Sequence, residues 1–179
     1  DERTVSAATS GRLTLSSPTS FPVLAGWGYF LLGKLWMLDS PGEWHLDSTN
    51  RTVYAWMPDS QAPGARVNVG MLGTGVNLAT TKYVTVDNLT VRRIGIGIDL
   101  RGSTGVTVQN ARIEDTTQHG VYLPASVSAR LTANHFLRTG LDAISGADNT
   151  VGIASGLLAS DNVIVDSGVL RGPNGLAAS

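Results

Sequence analysis

The 179-residue chain has no cysteine, and that absence removes disulfide frameworks, thiolate metal sites and cysteine nucleophiles together. Charge is sparse as well, at 15% of residues with a formal net charge of -1. Without a surplus of Lys and Arg to neutralise phosphates, nucleic acid is not an expected partner. The three histidines are scattered, and no His-x-x-x-His helix, Gly-rich phosphate loop, nucleophile elbow or Gly-Gly-x-Gly-x-Asp repeat occurs. Neither a metal nor a cofactor is therefore expected. No apolar run approaches a membrane span, so no membrane partner is expected, and residues 1–9 lack the basic start and apolar stretch of a secretory leader. The start at Asp1 and the end in Gly175-Leu176-Ala177-Ala178-Ser179 read as those of a piece of something longer.

What the chain does have is glycine: 21 against 3 methionines, a balance that favours tight turns over long helices. A change in character near residues 61–65 divides it into an N-terminal β region, 1–64, and a repetitive region, 65–179. All four tryptophans, Trp27, Trp36, Trp44 and Trp56, fall in the first part, where they are expected to be core rather than sugar platforms. There, Glu43-Trp44-His45-Leu46-Asp47 and Thr52-Val53-Tyr54-Ala55-Trp56 flank the polar turn Ser48-Thr49-Asn50-Arg51 and predict an antiparallel hairpin.

The second part repeats. Val84-Thr85-Val86-Asp87-Asn88-Leu89-Thr90-Val91 matches Val106-Thr107-Val108-Gln109-Asn110-Ala111-Arg112-Ile113, and later copies centre on Leu131 and Ala159. The equivalent positions Val86, Val108, Leu131 and Ala159 lie 22, 23 and 28 residues apart. A second series begins at Gly97, Gly120, Gly140 and Gly168. Two strand-length apolar runs per period, broken by Gly or Asn, fit a β coil and not a helical repeat. The expected fold is all-β: a right-handed parallel β-helix, a single-stranded solenoid preceded by a small antiparallel region. The long interval places an insert at 145–152, expected to frame a binding face. Asn88, Asn110, Asn134 and Asn162 are expected to stack along the axis.

The stretch from Gly28-Tyr29-Phe30-Leu31 through Leu38-Asp39-Ser40-Pro41-Gly42-Glu43-Trp44-His45-Leu46-Asp47 to Trp56-Met57-Pro58 resembles a segment that precedes the coils in bacterial right-handed β-helix proteins of the pectate-lyase-like superfold. These include glycoside hydrolases such as β-xylosidases. The resemblance covers residues 26–58 and the generic coils; residues 1–25 match nothing. It implies a secreted or periplasmic protein that acts on an extracellular polysaccharide or oligosaccharide. Asp39, Glu43 and Asp47 in this run sit beside turns and are expected to cap or brace rather than to react.

If Ile98, Val121 and Leu141 point inward, then Asp99, Tyr122 and Asp142 point outward as one column on three successive coils. Rungs ~4.8 Å apart put the two Asp Cα atoms ~9.6 Å from each other, nearer the carboxyl separation of inverting than of retaining glycosidases. Asp99 and Asp142 are thus the candidate acid and base. Tyr122, with His119 and Arg138 at the edge of the same strand series, would bind substrate. The alternatives are that these are ordinary surface residues; that the chain is a polysaccharide lyase with Arg138 as base; or that it is a non-catalytic glycan-binding segment. An uncapped solenoid end at Ser179 would favour homo-oligomers through edge pairing.

Overall fold

The computed structural model describes residues 3–29, 31 and 33–169. Three four-stranded parallel sheets run along one axis. The first sheet stacks Thr74–Asn77, Ile96–Asp99, Val121–Tyr122 and Ile144–Ser145. The second stacks Thr85–Asp87, Thr107–Gln109, Arg130–Thr132 and Leu158–Ser160. The third stacks Thr90–Ile94, Arg112–Thr116, His135–Thr139 and Val163–Ser167. The chain is an all-β right-handed parallel solenoid preceded by small antiparallel sheets.

Each coil has three strands, where the apolar pattern indicates two. The run 84–91 is not one strand but two, joined at Asn88, whose φ of 54° turns the chain in the left-handed region. Asn110, Ala133 and Asp161 make the same turn in the later coils. Asparagine and aspartate tolerate this backbone because a short polar side chain offsets its cost.

The periodicity of 22 to 23 residues follows from vertical files of inward side chains. Val76, Ile98, Val121 and Ile144 form one file in strict register; Val86, Val108, Leu131 and Ala159 form another. Ile98, Leu100, Val108, Ile113, Val121, Leu123, Leu131 and Phe136 are wholly buried. Stacking of the coils, each of which covers the apolar interior of its neighbour, supplies this burial.

Glycine is required where successive coils touch backbone to backbone. A Cβ on Gly97 would collide with the carbonyl of Gly120, and one on Gly120 would meet the Ala143 carbonyl at 2.5 Å and the Phe136 ring at 2.7 Å.

Two polar columns run beside the core. Asn134 Nδ2 donates to Asn162 Oδ1 at 3.0 Å and to the Val108 carbonyl at 2.9 Å, while its own Oδ1 accepts from the Ala111 amide. The expected asparagine ladder thus forms between Asn134 and Asn162. Asn110 instead donates to Asp87, because in the first two copies asparagine occupies the left-handed corner rather than the position after it. In the third sheet, Arg93, Asp115, Arg138 and Asp166 take a left-handed step at equivalent places, φ 60°, 55°, 51° and 54°. Their charges alternate from coil to coil, and Arg138 Nε meets Asp115 Oδ1 at 2.6 Å.

The expected hairpin is present: Trp44–Asp47 pairs with Thr52–Ala55, Trp44 opposite Ala55. A second hairpin joins Val5–Thr9 to Arg12–Leu15. The acids of this region are structural: Glu43 accepts the amides of Asp39 and Ser40, and Asp47 those of Thr49 and Asn50. The tryptophans, however, are not core. Trp36 is 73% exposed, Trp44 67%, and Trp27 and Trp56 are exposed too. Trp44, Trp56 and Met71 line an open groove of about 800 Å³ between the hairpin and the coil corner at Arg93 and Asp115. The antiparallel pairing of the leading segment ends before Pro58, and the parallel coils begin at Thr74. The expected edge at Ser179 lies outside the described residues.

Candidate functional site

The outer surface of the first sheet holds the largest gathering of polar and aromatic groups identified from sequence, but in a different order. Tyr122 pairs in register with Asp99 on one side and Ser145 on the other. Asp142 lies three residues earlier in its coil, where its carbonyl accepts from the Gly120 amide. The single column of Asp99, Tyr122 and Asp142 therefore does not form. The cause is a merging of two glycine files: Gly120 is level with Ala143, whereas Gly140 is level with Thr117, just past the third sheet.

Register instead sets Asp142 level with His119. The His119 imidazole Nδ1 lies 3.6 Å from Asp142 Oδ2, an ion pair when the ring is protonated. His119 also stacks on Tyr122, ring centroids 5.1 Å apart and planes inclined by 11°. The Arg101 guanidinium lies over the same tyrosine, 5.7 Å from its centroid, a cation–π contact.

Asp99 is 1% exposed and fully engaged. Its carboxylate accepts the Arg101 amide at 3.0 Å and the guanidinium through Nε and a terminal nitrogen, at 2.9 Å and 2.6 Å. Such a two-pronged pair is geometrically fixed. Asp99 orients Arg101 and, through it, Tyr122. Nothing in this arrangement leaves it an oxygen with which to reach a sugar.

The insert contributes a residue that the sequence reading missed. The short hairpin of Ala147–Asp148 and Gly152–Ile153 sets Asp148 against the tyrosine, whose hydroxyl donates to Asp148 Oδ2 at 2.5 Å. Asp148 Oδ1 accepts from the Thr150 amide at 2.7 Å, the Thr150 hydroxyl at 2.6 Å and the Val151 amide at 3.0 Å. With every contact a donor, the carboxyl is held well below the usual carboxylate range. The same bond raises the Tyr122 phenol, because ionisation would set two anions side by side. The signal available in the sequence was the Asp148-Asn149-Thr150 triplet, in which a side chain bonding two residues ahead makes a turn.

Arg138 is not part of this cluster. It is bonded to Asp115 on the third sheet, which holds that carboxyl below its ordinary value. The structure thus brings together Asp99, Tyr122, His119 and Asp142, adds Arg101 and Asp148, and leaves Arg138 in the charge column. Among the described residues, no three His, Asp or Glu side chains are grouped to hold a metal.

Searches of curated proteins and of solved structures find no match to the chain. A family model described as "right handed beta helix region" matches residues 68–178. That span is more than half of the chain and contains all three parallel sheets, so the chain belongs to the right-handed β-helix family.

Proposed function

We propose that this protein is a carbohydrate-active β-helix that holds an oligosaccharide along the outside of the first sheet, and that it hydrolyses a glycosidic bond with Asp142 as the reacting carboxyl. The observation that carries this reading is the His119–Tyr122 stack bordered by Asp142 and Asp148. Sugar rings offer apolar C–H faces to aromatic surfaces and hydroxyls to carboxylates, so a platform of this composition suits them.

The three carboxylates of this face differ in their partners. Asp99 is neutralised by an arginine, a permanent cation, and Asp148 accepts three donors on Oδ1 and the Tyr122 hydroxyl on Oδ2. Asp142 faces a histidine, whose side chain ordinarily changes charge near neutrality, and its own side chain is 38% exposed. It alone of the three combines access to solvent with an imidazole partner. As a general base it would take a proton from the water attacking the anomeric carbon, while the departing glycosyl oxygen takes its proton from solvent as the glycosidic C–O bond breaks. Asp99 is then a positioning residue and not the second catalytic carboxyl.

A second reading is glycan binding without turnover, favoured by that same burial of Asp99, which removes one member of the expected pair. The lyase reading loses its base, since Arg138 is engaged by Asp115. Release of reducing ends from xylo-oligosaccharides and other neutral oligosaccharides, lost in Asp142→Asn with the circular dichroism spectrum unchanged, is the expected result for a hydrolase. Binding with no release in the native protein would establish the second reading, and neither binding nor release would remove both.

A further inference from the structure

We infer that this face selects neutral or amino-bearing sugars over uronates, with Asp148 as the specificity-determining residue. The inference rests on the carbohydrate reading above and adds to it the charge of the substrate.

Tyr122 bonds the Asp148 carboxylate, lies under the Arg101 guanidinium and sits level with Asp99, which places two anions and one cation around it. The cation is already committed: Arg101 faces Asp99 through two nitrogens and its charge is balanced there. What remains towards the solvent side of the ring is the Asp148 carboxylate, with Asp142 beside the stacked His119. A sugar lying on this platform meets an excess of negative charge, whether or not His119 is protonated.

Asp148 is built to stay charged. Four donors converge on its two oxygens, two of them backbone amides of its own turn. A carboxylate held in this way cannot take a proton to accommodate a second acid, so a uronate placed beside it would bring two anions together in a partly desolvated site. A neutral sugar can donate hydroxyl hydrogen bonds to the same oxygens, and an ammonium group would gain a salt bridge. Asp148 arrives on an insert that only one coil carries, the feature that lengthens a repeat interval to 28 residues. A local addition to a uniform rod is the place where specificity can be set without disturbing the stack.

The test is calorimetric titration of the full chain with three probes of matched length: xylohexaose, fully deacetylated chitohexaose and hexagalacturonate. At low salt, xylohexaose or the chitosan oligomer should bind at least about fivefold more tightly than hexagalacturonate, and the gap should narrow as salt screens the charges. Asp148→Asn should shrink the gap further. Should that variant loosen the hairpin, Asp142→Asn removes the same charge from a residue in the coil itself and should act in the same direction. Hexagalacturonate binding as well as the neutral probe, or a gap unchanged in both variants, would overturn the inference while leaving the carbohydrate reading intact. Failure of all three probes to bind would overturn both.

Discussion

The leading segment and the coils spend their apolar residues in opposite ways. Every tryptophan lies in the first 56 residues, yet no described residue before Val91 is buried. The coils, built from Val, Ile, Leu, Ala and one Phe, bury 14 apolar side chains between Val91 and Ala143. Large side chains do not make a core by themselves. A core forms where a period returns apolar groups to the same interior file, so that each coil is covered above and below.

Substitutions in the two regions put that contrast at risk. Phe136→Ala empties a fully buried site and should cost about 3–5 kcal/mol, read as a shift in the denaturation midpoint. Gly120→Ala drives a methyl into the Ala143 carbonyl and the Phe136 ring; overpacking of this kind should cost about 1–3 kcal/mol. The matching control is Gly28→Ala in the leading segment, which meets nothing within 4 Å and should leave the midpoint unmoved. Arg138→Ala should have a smaller effect, because the ion pair is partly exposed, and the effect should fade in high salt. Its pH dependence has a definite sign. Arg138 lowers the Asp115 pKa in the folded state, so the pair's contribution is complete above the ordinary carboxylate value, about pH 4, and is lost as pH falls through the lowered one. Trp44→Ala should also change stability little, within about 0.5 kcal/mol, since the ring is mostly exposed. A loss there equal to that of Phe136→Ala would abolish the distinction between the regions. Amide exchange would sharpen it: protection is expected in the strands from Ile96 to Thr139 and little in residues 3–29.

The solenoid was legible because its signal is redundant. Val86, Val108 and Leu131 are each one vote for the same period, and the turn residues fall at the same phase. The third strand was hidden because the 84–91 run looks continuous; its corner at Asn88 is made by one left-handed residue and costs no apolar position. The site was legible only in part. Tyr122, His119 and Asp142 do meet, but at an offset of three residues, because Gly140 resembles Gly120 in sequence while packing against Thr117. Asp148 escaped because its turn triplet does not reveal a contact 26 residues away in the chain, and Arg101 because its place over the Tyr122 ring depends on the next coil. The tryptophans misled for the converse reason: their type predicts burial, but exposure depends on whether anything lies across from them.

The charge column on the third sheet limits how such a rod can grow. Arg93, Asp115, Arg138 and Asp166 give the sequence of coils a hidden period of two, although the backbone repeats every coil. Duplicating a coil or deleting an interior one would set like charges one rung apart, whereas adding or removing neighbouring coils in pairs preserves the order of attraction. A solenoid usually regarded as extensible one unit at a time is, along this edge, quantised in twos.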